Sequence, residues 1–286
     1  MLSTKQKIGL ARTAYRFIVS ARKLFGLDNE TEVIRDGIHW HLDLSEGIDL
    51  AIYLLGKFEN TTVRTYRRFL RQGDSVLDIG ANIGAHTLHL AACVGDTGHV
   101  VAFEPTAYAY RKLLCNLSLN PHLAARVYTE QIMLTDRDET IAPSNLYASW
   151  PLITNLPSVH PKHLGLAKST TGARALTLDH YLDSHPEVKP DFIKLDVDGN
   201  ECSMLRGARQ TLQRYHPMLL MEIMPYGLEE TGHSLDELLS ILADSGYELF
   251  SIPDLASLPP QPELLNKRIV PGGSINVLCR PAPHGV

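Results

Sequence analysis

Long apolar runs, excess positive charge and paired cysteines are all missing from this chain of 286 residues. No apolar run approaches the ~20 residues that a transmembrane helix requires. Lys and Arg number 27 against 32 Asp and Glu, and this net charge of −5 gives no indication of nucleic-acid binding, since such domains usually carry a basic excess. The four cysteines are scattered without a CxxC pair or metal-ligand spacing, so free thiols in a reducing cytoplasm are the simplest interpretation.

The first 60 residues have the pattern of a helical and hairpin extension. Apolar residues at helical spacing predict an amphipathic helix over Lys5–Phe25 with a basic polar side. Such a helix can contact the inner face of a membrane peripherally or mediate homo-oligomerisation, but packing against its own domain is commoner. Alternation from Glu32 to Leu44 predicts a hairpin turning at Asp36-Gly37, and two helices broken near Gly56 follow.

Residues 61–286 show strand-like runs that alternate with helical stretches. This alternation predicts an α/β fold with a mostly parallel sheet and helices on both faces. Two further strand-like runs close the chain. The predicted strands are Ser75–Ile79, His99–Phe103, Arg126–Leu134, Phe192–Leu195, Met218–Ile223, Tyr247–Ile252 and Ser274–Cys279.

In one segment, residues 140–175, the apolar residues follow neither helical nor strand periodicity. The segment is rich in Pro, Ser, Asn and Gly and contains Trp150. A loop of this length inside a compact domain is uncommon and often serves as a lid or binding loop. We therefore expect an insertion on the acceptor side of a site, although a loop of packed surface residues is an equal alternative.

The most informative stretch joins a buried strand to a helix through a turn of small residues. Its spacing is D-x-G-x-N-x-G, from Asp78 through Gly80 and Asn82 to Gly84. Open parallel sheets bind ligands at the carboxyl ends of their strands, and glycines let the backbone approach a ligand closely. The dinucleotide fingerprint G-x-G-x-x-G is not met.

An acidic residue, Glu104, ends the next strand. Its carboxylate is placed to accept hydrogen bonds from a ribose diol, which both NAD and S-adenosylmethionine (AdoMet) contain. Asp78 adds a second carboxylate where a dinucleotide would place phosphates. A sulfonium and an ammonium group tolerate acidic surroundings better than a pyrophosphate does, so the turn favours AdoMet.

Several ordered motifs resemble the FkbM-type AdoMet-dependent methyltransferases. They are Leu77–Gly84 (LDIGANIG), Val101–Pro105 (VAFEP), Asn116–Asn120 (NLSLN), Leu178–Leu182 (LDHYL) and Ile193–Glu201 (IKLDVDGNE). Within the last motif Asp198 stands where the family usually has Glu. The resemblance runs from about Glu59 to Glu222 and leaves the N-terminal helix and the 140–175 segment uncovered.

The resemblance implies a class I methyltransferase fold, a Rossmann-like sheet of seven strands with the last strand antiparallel. It also implies that Asp78, Gly80, Asn82 and Gly84 surround the methionine part of AdoMet. Glu104 would hold the ribose, Thr135 and Asp136 would lie beside the adenine, and Glu59 would contact cofactor or acceptor.

An acceptor hydroxyl is a poor nucleophile, so a base or a metal ion would assist its attack on the methyl group. The candidates at the strand ends that face the cofactor are Lys194, Asp196, Asp198, Glu201 and Glu222, and among the histidines His86 lies closest to the cofactor turn. Asp196 and Glu222 could bind a divalent cation with oxygen ligands. We favour a metal-free site, in which Lys194 and Glu222 form a structural ion pair across adjacent strands.

The resemblance implies O-methylation of a hydroxyl on a glycan, a lipid-linked sugar or a secondary metabolite. The alternatives are a nicotinamide-dependent oxidoreductase and a non-catalytic AdoMet-binding protein. Asp78 and Asn82 disfavour the first, and the acidic residues at the strand ends disfavour the second. The sequence alone leaves the acceptor unidentified.

Overall fold

The computed structural model describes residues 3–139, 141–153, 159–161 and 164–282. The strands are β1 (Glu30–Arg35), β2 (Ile38–Asp43), β3 (Ser75–Ile79), β4 (His99–Phe103), β5 (Val127–Glu130), β6 (Ile132–Leu134), β7 (Asn145–Ser149), β8 (Leu166–Ser169), β9 (Arg174–Leu176), β10 (Phe192–Leu195), β11 (Met218–Ile223), β12 (Tyr247–Ser251) and β13 (Ile275–Pro281). The helices are α1 (Thr4–Leu24), α2 (Gly47–Leu55), α3 (Asn60–Phe69), α4 (Thr87–Val94), α5 (Ala107–Ser118), α6 (Pro121–Ala124), α7 (Leu178–Ser184), α8 (Glu201–Arg206), α9 (Arg209–Tyr215), α10 (Pro225–Glu230), α11 (Leu235–Asp244) and α12 (Pro262–Asn266).

The central sheet has seven strands in the order β12-β13-β11-β10-β3-β4-β5. The last strand, β13, is antiparallel to both of its neighbours, while β3, β4, β5, β10 and β11 pair in parallel. The strand order changes direction at the neighbouring strands β3 and β10, because β4 and β5 follow on one side of β3 whereas β10 and β11 lie on its other side. This places a ligand crevice at the carboxyl ends of those two strands. The predicted α/β class with an antiparallel last strand is confirmed.

Alternate residues of each central strand face opposite sides of the sheet. In β3, Val76 belongs to the hydrophobic cluster on one side, and Leu77 and Ile79 belong to the cluster on the other side. The first cluster also contains Trp40 and Leu50 from the N-terminal region. The N-terminal region therefore packs on the same core as the sheet.

The predicted hairpin is present. β1 and β2 pair antiparallel with Arg35 opposite Ile38, and the two turn residues Asp36 and Gly37 have φ of 51° and 79°. Positive φ at both turn positions matches the twist of the flanking strands. Two side chains of α5 and the following turn hold this hairpin: Asn116 Oδ1 accepts from the His41 N–H, and Asn120 Oδ1 accepts from the His39 N–H, both at 2.9 Å.

Two strand predictions need correction. The run Arg126–Leu134 forms two strands, because the chain leaves the central sheet after Glu130 and β6 pairs in parallel with β9. The segment 140–175 is more regular than its sequence suggested, since β7 and β8 form an antiparallel ribbon with an irregular register between Tyr147 and Ser149. The two strands have only five and four residues, too few to give a clear period in the sequence.

Within the described ranges, none of the helices is both long enough and apolar enough to cross a bilayer.

Candidate functional site

The carboxyl ends of the central strands open into one cavity of about 1090 Å³. This is at the upper end of the roughly 300–1,000 Å³ that is usual for small-molecule sites, so the cavity has room for a cofactor and part of an acceptor. Nine of the predicted site residues line it. They are Glu59, Gly80, Asn82, His86, Glu104, Lys194, Asp196, Asp198 and Glu222.

Four other predicted residues lie close by but, among the described residues, are not part of the lining. Asp78 is fully buried beneath the turn, and Gly84 packs against α5, where a Cβ would lie 2.8 Å from Leu113 Cδ1. Thr135 and Asp136 directly follow Leu134, the last residue of β6 in the lining. These four residues therefore lie behind the residues that line the cavity.

The turn after β3 is pressed against the end of β10. Gly80 has φ of 82°, and a Cβ on it would lie 1.8 Å from the carbonyl oxygen of Asp196. Only glycine fits a position that combines a left-handed backbone with so close an approach. Asn82 also has positive φ, 49°, and its side-chain oxygen accepts a hydrogen bond from the N–H of Ile83.

Glu104 joins the second strand tip to this turn. Its Oε2 accepts from the N–H of Asn82 at 3.0 Å, and its Oε1 accepts from the N–H and hydroxyl of Thr106. Burial raises the pKa of the carboxyl, and these hydrogen bonds oppose that rise. A carboxylate has about four acceptor positions, so three protein bonds leave one for a ligand hydroxyl.

Lys194 is a buried cation between Asp78 and Asp196, so the predicted ion pair with Glu222 is wrong. Its Nζ lies 3.8 Å from Asp78 Oδ1 and 3.3 Å from Asp196 Oδ2, and it donates to the carbonyl oxygen of Gly80. Burial alone would lower the pKa of Lys194, but the charges of Asp196 and Asp78 outweigh burial and raise it. Lys194 therefore stays protonated and holds the turn against β10.

Three carboxylates meet at the ends of β10 and β11. Single oxygen atoms of Asp196, Asp198 and Glu222 all lie within 4.8 Å of one another. Burial, together with repulsion from Asp196, raises the pKa of both Asp198 and Glu222, and the hydroxyl of Ser274 donates to Glu222. A positively charged group would relieve this repulsion, whether a sulfonium, an ammonium or a divalent cation.

His86 lies at the start of α4 and is 3% exposed. Neither ring nitrogen has a hydrogen-bond partner among the described residues, and the rings of Phe58 and Tyr66 contact the imidazole edge to face. The nearest charge is Glu59, whose Oε2 lies 3.7 Å from His86 Nε2. His86 is thus held by packing, with both ring nitrogens buried.

Glu59 is fixed by one neighbour in sequence and by one residue from a distant part of the chain. Its Oε2 accepts from Asn276 Nδ2 and Thr62 Oγ1, both at 3.0 Å. Burial acts to raise its pKa, but the His86 imidazole and the Lys194 ammonium lower it to about 2. Glu59 is therefore ionised at neutral pH and faces His86.

The ribbon of β7 and β8 closes one side of the cavity and is tied to the N-terminal region. Glu46 accepts hydrogen bonds from the hydroxyl of Ser149 and the N–H of Trp150. Tyr147 and His160 line the cavity and contact each other edge to face, with ring centroids 5.2 Å apart. Parts of the segment, 154–158 and 162–163 among them, lie outside the described residues.

Sequence patterns did not reveal several contributors to the site. Thr87 donates to Asp78 at 2.6 Å and could have been suspected, since it opens the helix after the turn. Asn276 and Ser274 gave no signal, because they are more than 200 and 50 residues from their partners in sequence. Helix α1 was also not expected to line the cavity.

The family model described as the methyltransferase FkbM domain matches residues 78–249. The chain belongs to the FkbM methyltransferase family. This confirms the resemblance seen in the motifs and, with the strand order, the class I methyltransferase fold. Membership in this AdoMet-dependent family also argues against the oxidoreductase alternative.

Among relatives of this FkbM methyltransferase is the hexuronic acid methyltransferase AglP of Haloferax volcanii, 24% identical over 156 residues. That match covers 54% of this chain and 58% of AglP, so the chain spans little more than half the length of this relative. An FkbM methyltransferase structure from Methylobacillus flagellatus is 18% identical, covering 77% of this chain and 47% of that one, with a TM-score of 0.43. An AdoMet-dependent O-methyltransferase from Thermotoga maritima is 12% identical, covering 93% and 82%, with a TM-score of 0.44.

Proposed function

We propose that this protein transfers the methyl group of AdoMet to a hydroxyl oxygen of a glycan, a lipid-linked sugar or a secondary metabolite. The observation that carries the proposal is a single cavity that joins the turn at Gly80 and Asn82, the carboxylate of Glu104 and the three carboxylates at the ends of β10 and β11. The similarity to AglP, a hexuronic acid methyltransferase, supports a sugar among these acceptors.

The residues of the cavity fit AdoMet. Gly80 and Asn82 would hold its methionine part, and Glu104 has one acceptor position left for a ribose hydroxyl. The apolar wall from Ile132 to Leu134 would contact the adenine, with Thr135 and Asp136 behind it. When bound, AdoMet supplies an electrophilic methyl group on a sulfonium.

We assign the general base to His86. Lys194 is protonated and paired, and Glu222 already accepts from Ser274. His86, by contrast, lines the cavity with both nitrogens unpaired among the described residues. The ionised Glu59 beside it would stabilise the imidazolium that forms when His86 takes the acceptor proton.

We favour a metal-free reaction. The Lys194 ammonium lies 3.3 Å from Asp196 Oδ2 and 3.8 Å from Asp78 Oδ1. A divalent cation at Asp196 would have to compete with this built-in cation. Asp196, Asp198 and Glu222 would then form an acidic wall beside the sulfonium, whose positive charge would favour their ionised forms.

The test supplies AdoMet with a deuterated methyl group to the purified protein and a panel of hydroxylated glycans, lipid-linked sugars and metabolites. Mass spectrometry follows the label in the acceptor and S-adenosylhomocysteine in solution. We expect His86→Asn to lower the rate by about 10²–10⁴-fold without loss of AdoMet binding. The matched control is His89→Asn, a buried histidine on the same helix that is not among the lining residues.

Three results would reject parts of this proposal. An N- or C-methylated product from every accepted compound would reject O-methylation. Equal rates for His86→Asn and His89→Asn would remove His86 from its role. AdoMet binding without product from any compound would favour the non-catalytic alternative.

A further inference from the structure

Helix α1 carries two apolar stripes, and one of them faces away from the protein. Ile8 is buried against the core, as the inward stripe requires. Leu10, Phe17 and Leu24 follow one another at seven-residue spacing and are 63%, 75% and 85% exposed. Because seven residues are close to two helical turns, these side chains form one line along the helix. Phe25, 80% exposed, directly follows Leu24 at the end of the helix. We call these four residues the outer stripe.

The charge of α1 is of one sign. The helix contains six cationic residues and no acidic residue, although the whole chain carries a net charge of −5. Lys5, Lys7, Arg16 and Lys23 are among the exposed ones. A helix with an exposed apolar line and flanking cations has the composition of helices that lie in the interface of anionic membranes. Two copies of such a surface would repel each other if they met face to face.

The outer stripe is continuous with the mouth of the cavity. Leu10 lines the cavity, as do Leu54 and Leu55 at the end of α2, and these two are 48% and 71% exposed. The cavity thus has exposed leucines from both helices in its lining, on the side of α1. Lys7 lines the same region and adds a cation.

The walls of the cavity differ in chemistry from one end to the other. α1, α2 and the following residues contribute apolar side chains, including Ile8, Ala11, Leu50 and Phe58. The strand ends contribute carboxylates and the candidate base. A ligand that fits both walls has a polar hydroxylated end and an aliphatic chain.

We propose that α1 lies on the surface of an anionic phospholipid bilayer, with the mouth between α1 and α2 turned toward the lipid. The acceptor is then an amphiphile that enters from the bilayer with its hydroxylated head group first. The statement about the acceptor rests on the proposed methyltransferase function, whereas the contact of α1 with the bilayer does not.

The test measures co-sedimentation of the full chain with vesicles of phosphatidylcholine alone and of phosphatidylcholine with phosphatidylglycerol. The charge variant is Lys5→Gln, Arg16→Gln and Lys23→Gln together, and its control is Lys189→Gln, Arg209→Gln and Lys267→Gln, three exposed cations elsewhere. The apolar variant is Phe17→Ser with Leu24→Ser, and its control is Leu114→Ser with Leu264→Ser, which are 42% and 47% exposed. AdoMet binding and sedimentation velocity are measured for every variant.

We expect binding to the anionic vesicles that weakens with added salt, and little binding to phosphatidylcholine alone. Both α1 variants should lower the vesicle affinity roughly tenfold or more, and both controls should leave it unchanged. Absence of vesicle binding, or equal binding by α1 variants and controls, would overturn the proposal. So would a dimer that Phe17→Ser with Leu24→Ser dissociates, since the outer stripe would then be covered by a second copy. Retained AdoMet binding in the α1 variants separates this failure from failure of the proposed function.

Discussion

The backbone N–H of Asn82 donates a hydrogen bond of 3.0 Å to Oε2 of Glu104. This bond joins the turn after β3 to the tip of β4, two neighbouring parallel strands. Thr106 donates to the other oxygen of Glu104, so the orientation of this carboxylate is fixed from both sides. The two sequence features that pointed to AdoMet are therefore parts of one hydrogen-bonded unit.

Shortening Glu104 should weaken cofactor binding. Glu104→Asp keeps the charge but withdraws the carboxylate from the cavity, so the ribose loses a charge-assisted hydrogen bond worth about 1.5–3 kcal/mol. We expect the AdoMet dissociation constant to rise about ten- to hundredfold in titration calorimetry. The control is Glu130→Asp, a carboxylate at the end of β5 that accepts from Tyr181 and is not among the lining residues. Equal affinities for the two variants would remove Glu104 from the ribose site.

Gly80 should tolerate no side chain. Gly80→Ala would place a Cβ 1.8 Å from the Asp196 carbonyl, whereas Gly232→Ala, at the same φ of 82°, would meet nothing within 4 Å. The control Gly232→Ala should therefore lower the free energy of unfolding by about 1–2 kcal/mol, because of the left-handed backbone alone. Gly80→Ala should cost at least about 1–3 kcal/mol more from overpacking, and it should also impair AdoMet binding. Urea denaturation compares the two variants, and equal losses of stability would show that the turn does not press on β10.

Glu201 should make folding stability depend on pH. It is 1% exposed, and burial raises its pKa to about 7, although the N–H groups of Val197 and Gly199 donate to it. Since the unfolded carboxyl releases its proton near pH 4.3, the native state binds more protons between about pH 4 and 7. Its contribution to stability is therefore complete below pH 4 and is lost as the pH rises through 7.

The comparison with Glu201→Gln isolates this contribution. We expect the free energy of unfolding of the wild type to fall relative to Glu201→Gln by up to about 4 kcal/mol between pH 4 and 8. Denaturant titrations across this range measure the difference, with the exposed Glu229→Gln as the control. A constant difference between wild type and Glu201→Gln would mean that Glu201 titrates normally.

Methyl transfer should not require a divalent cation. Lys194 already supplies a positive charge to Asp196, so removal of metal with EDTA should leave the rate of S-adenosylhomocysteine formation unchanged within twofold (about 0.4 kcal/mol). A rate that falls tenfold or more and returns with Mg²⁺ or Mn²⁺ would instead assign Asp196, Asp198 and Glu222 as metal ligands.

The sequence predicted the central sheet well because its strands are buried on both faces and read as short apolar runs. Ser75–Ile79, His99–Phe103, Phe192–Leu195 and Met218–Ile223 have the predicted bounds. The hairpin turn at Asp36-Gly37 was also found, since it requires two residues that accept positive φ. The cofactor turn was recognisable for the same reason, through its glycines.

The remaining parts depend on contacts that local patterns do not encode. The ribbon of β7 and β8 was missed because its strands have only five and four residues and are only partly buried. The anchoring of Glu59 by Asn276 joins residues 217 apart, and α1 lines the cavity through side chains that look like an ordinary amphipathic face. Such features become visible only when the chain is folded.

Titration calorimetry of the purified chain with AdoMet, S-adenosylhomocysteine and NADH tests most directly whether the cavity at the strand ends is an AdoMet site. We predict that AdoMet and S-adenosylhomocysteine each bind one molecule per chain, that Glu104→Asp weakens both, and that NADH gives no heat of binding. Binding of NADH in competition with AdoMet, or AdoMet binding that Glu104→Asp and Gly80→Ala leave unchanged, would contradict the assignment.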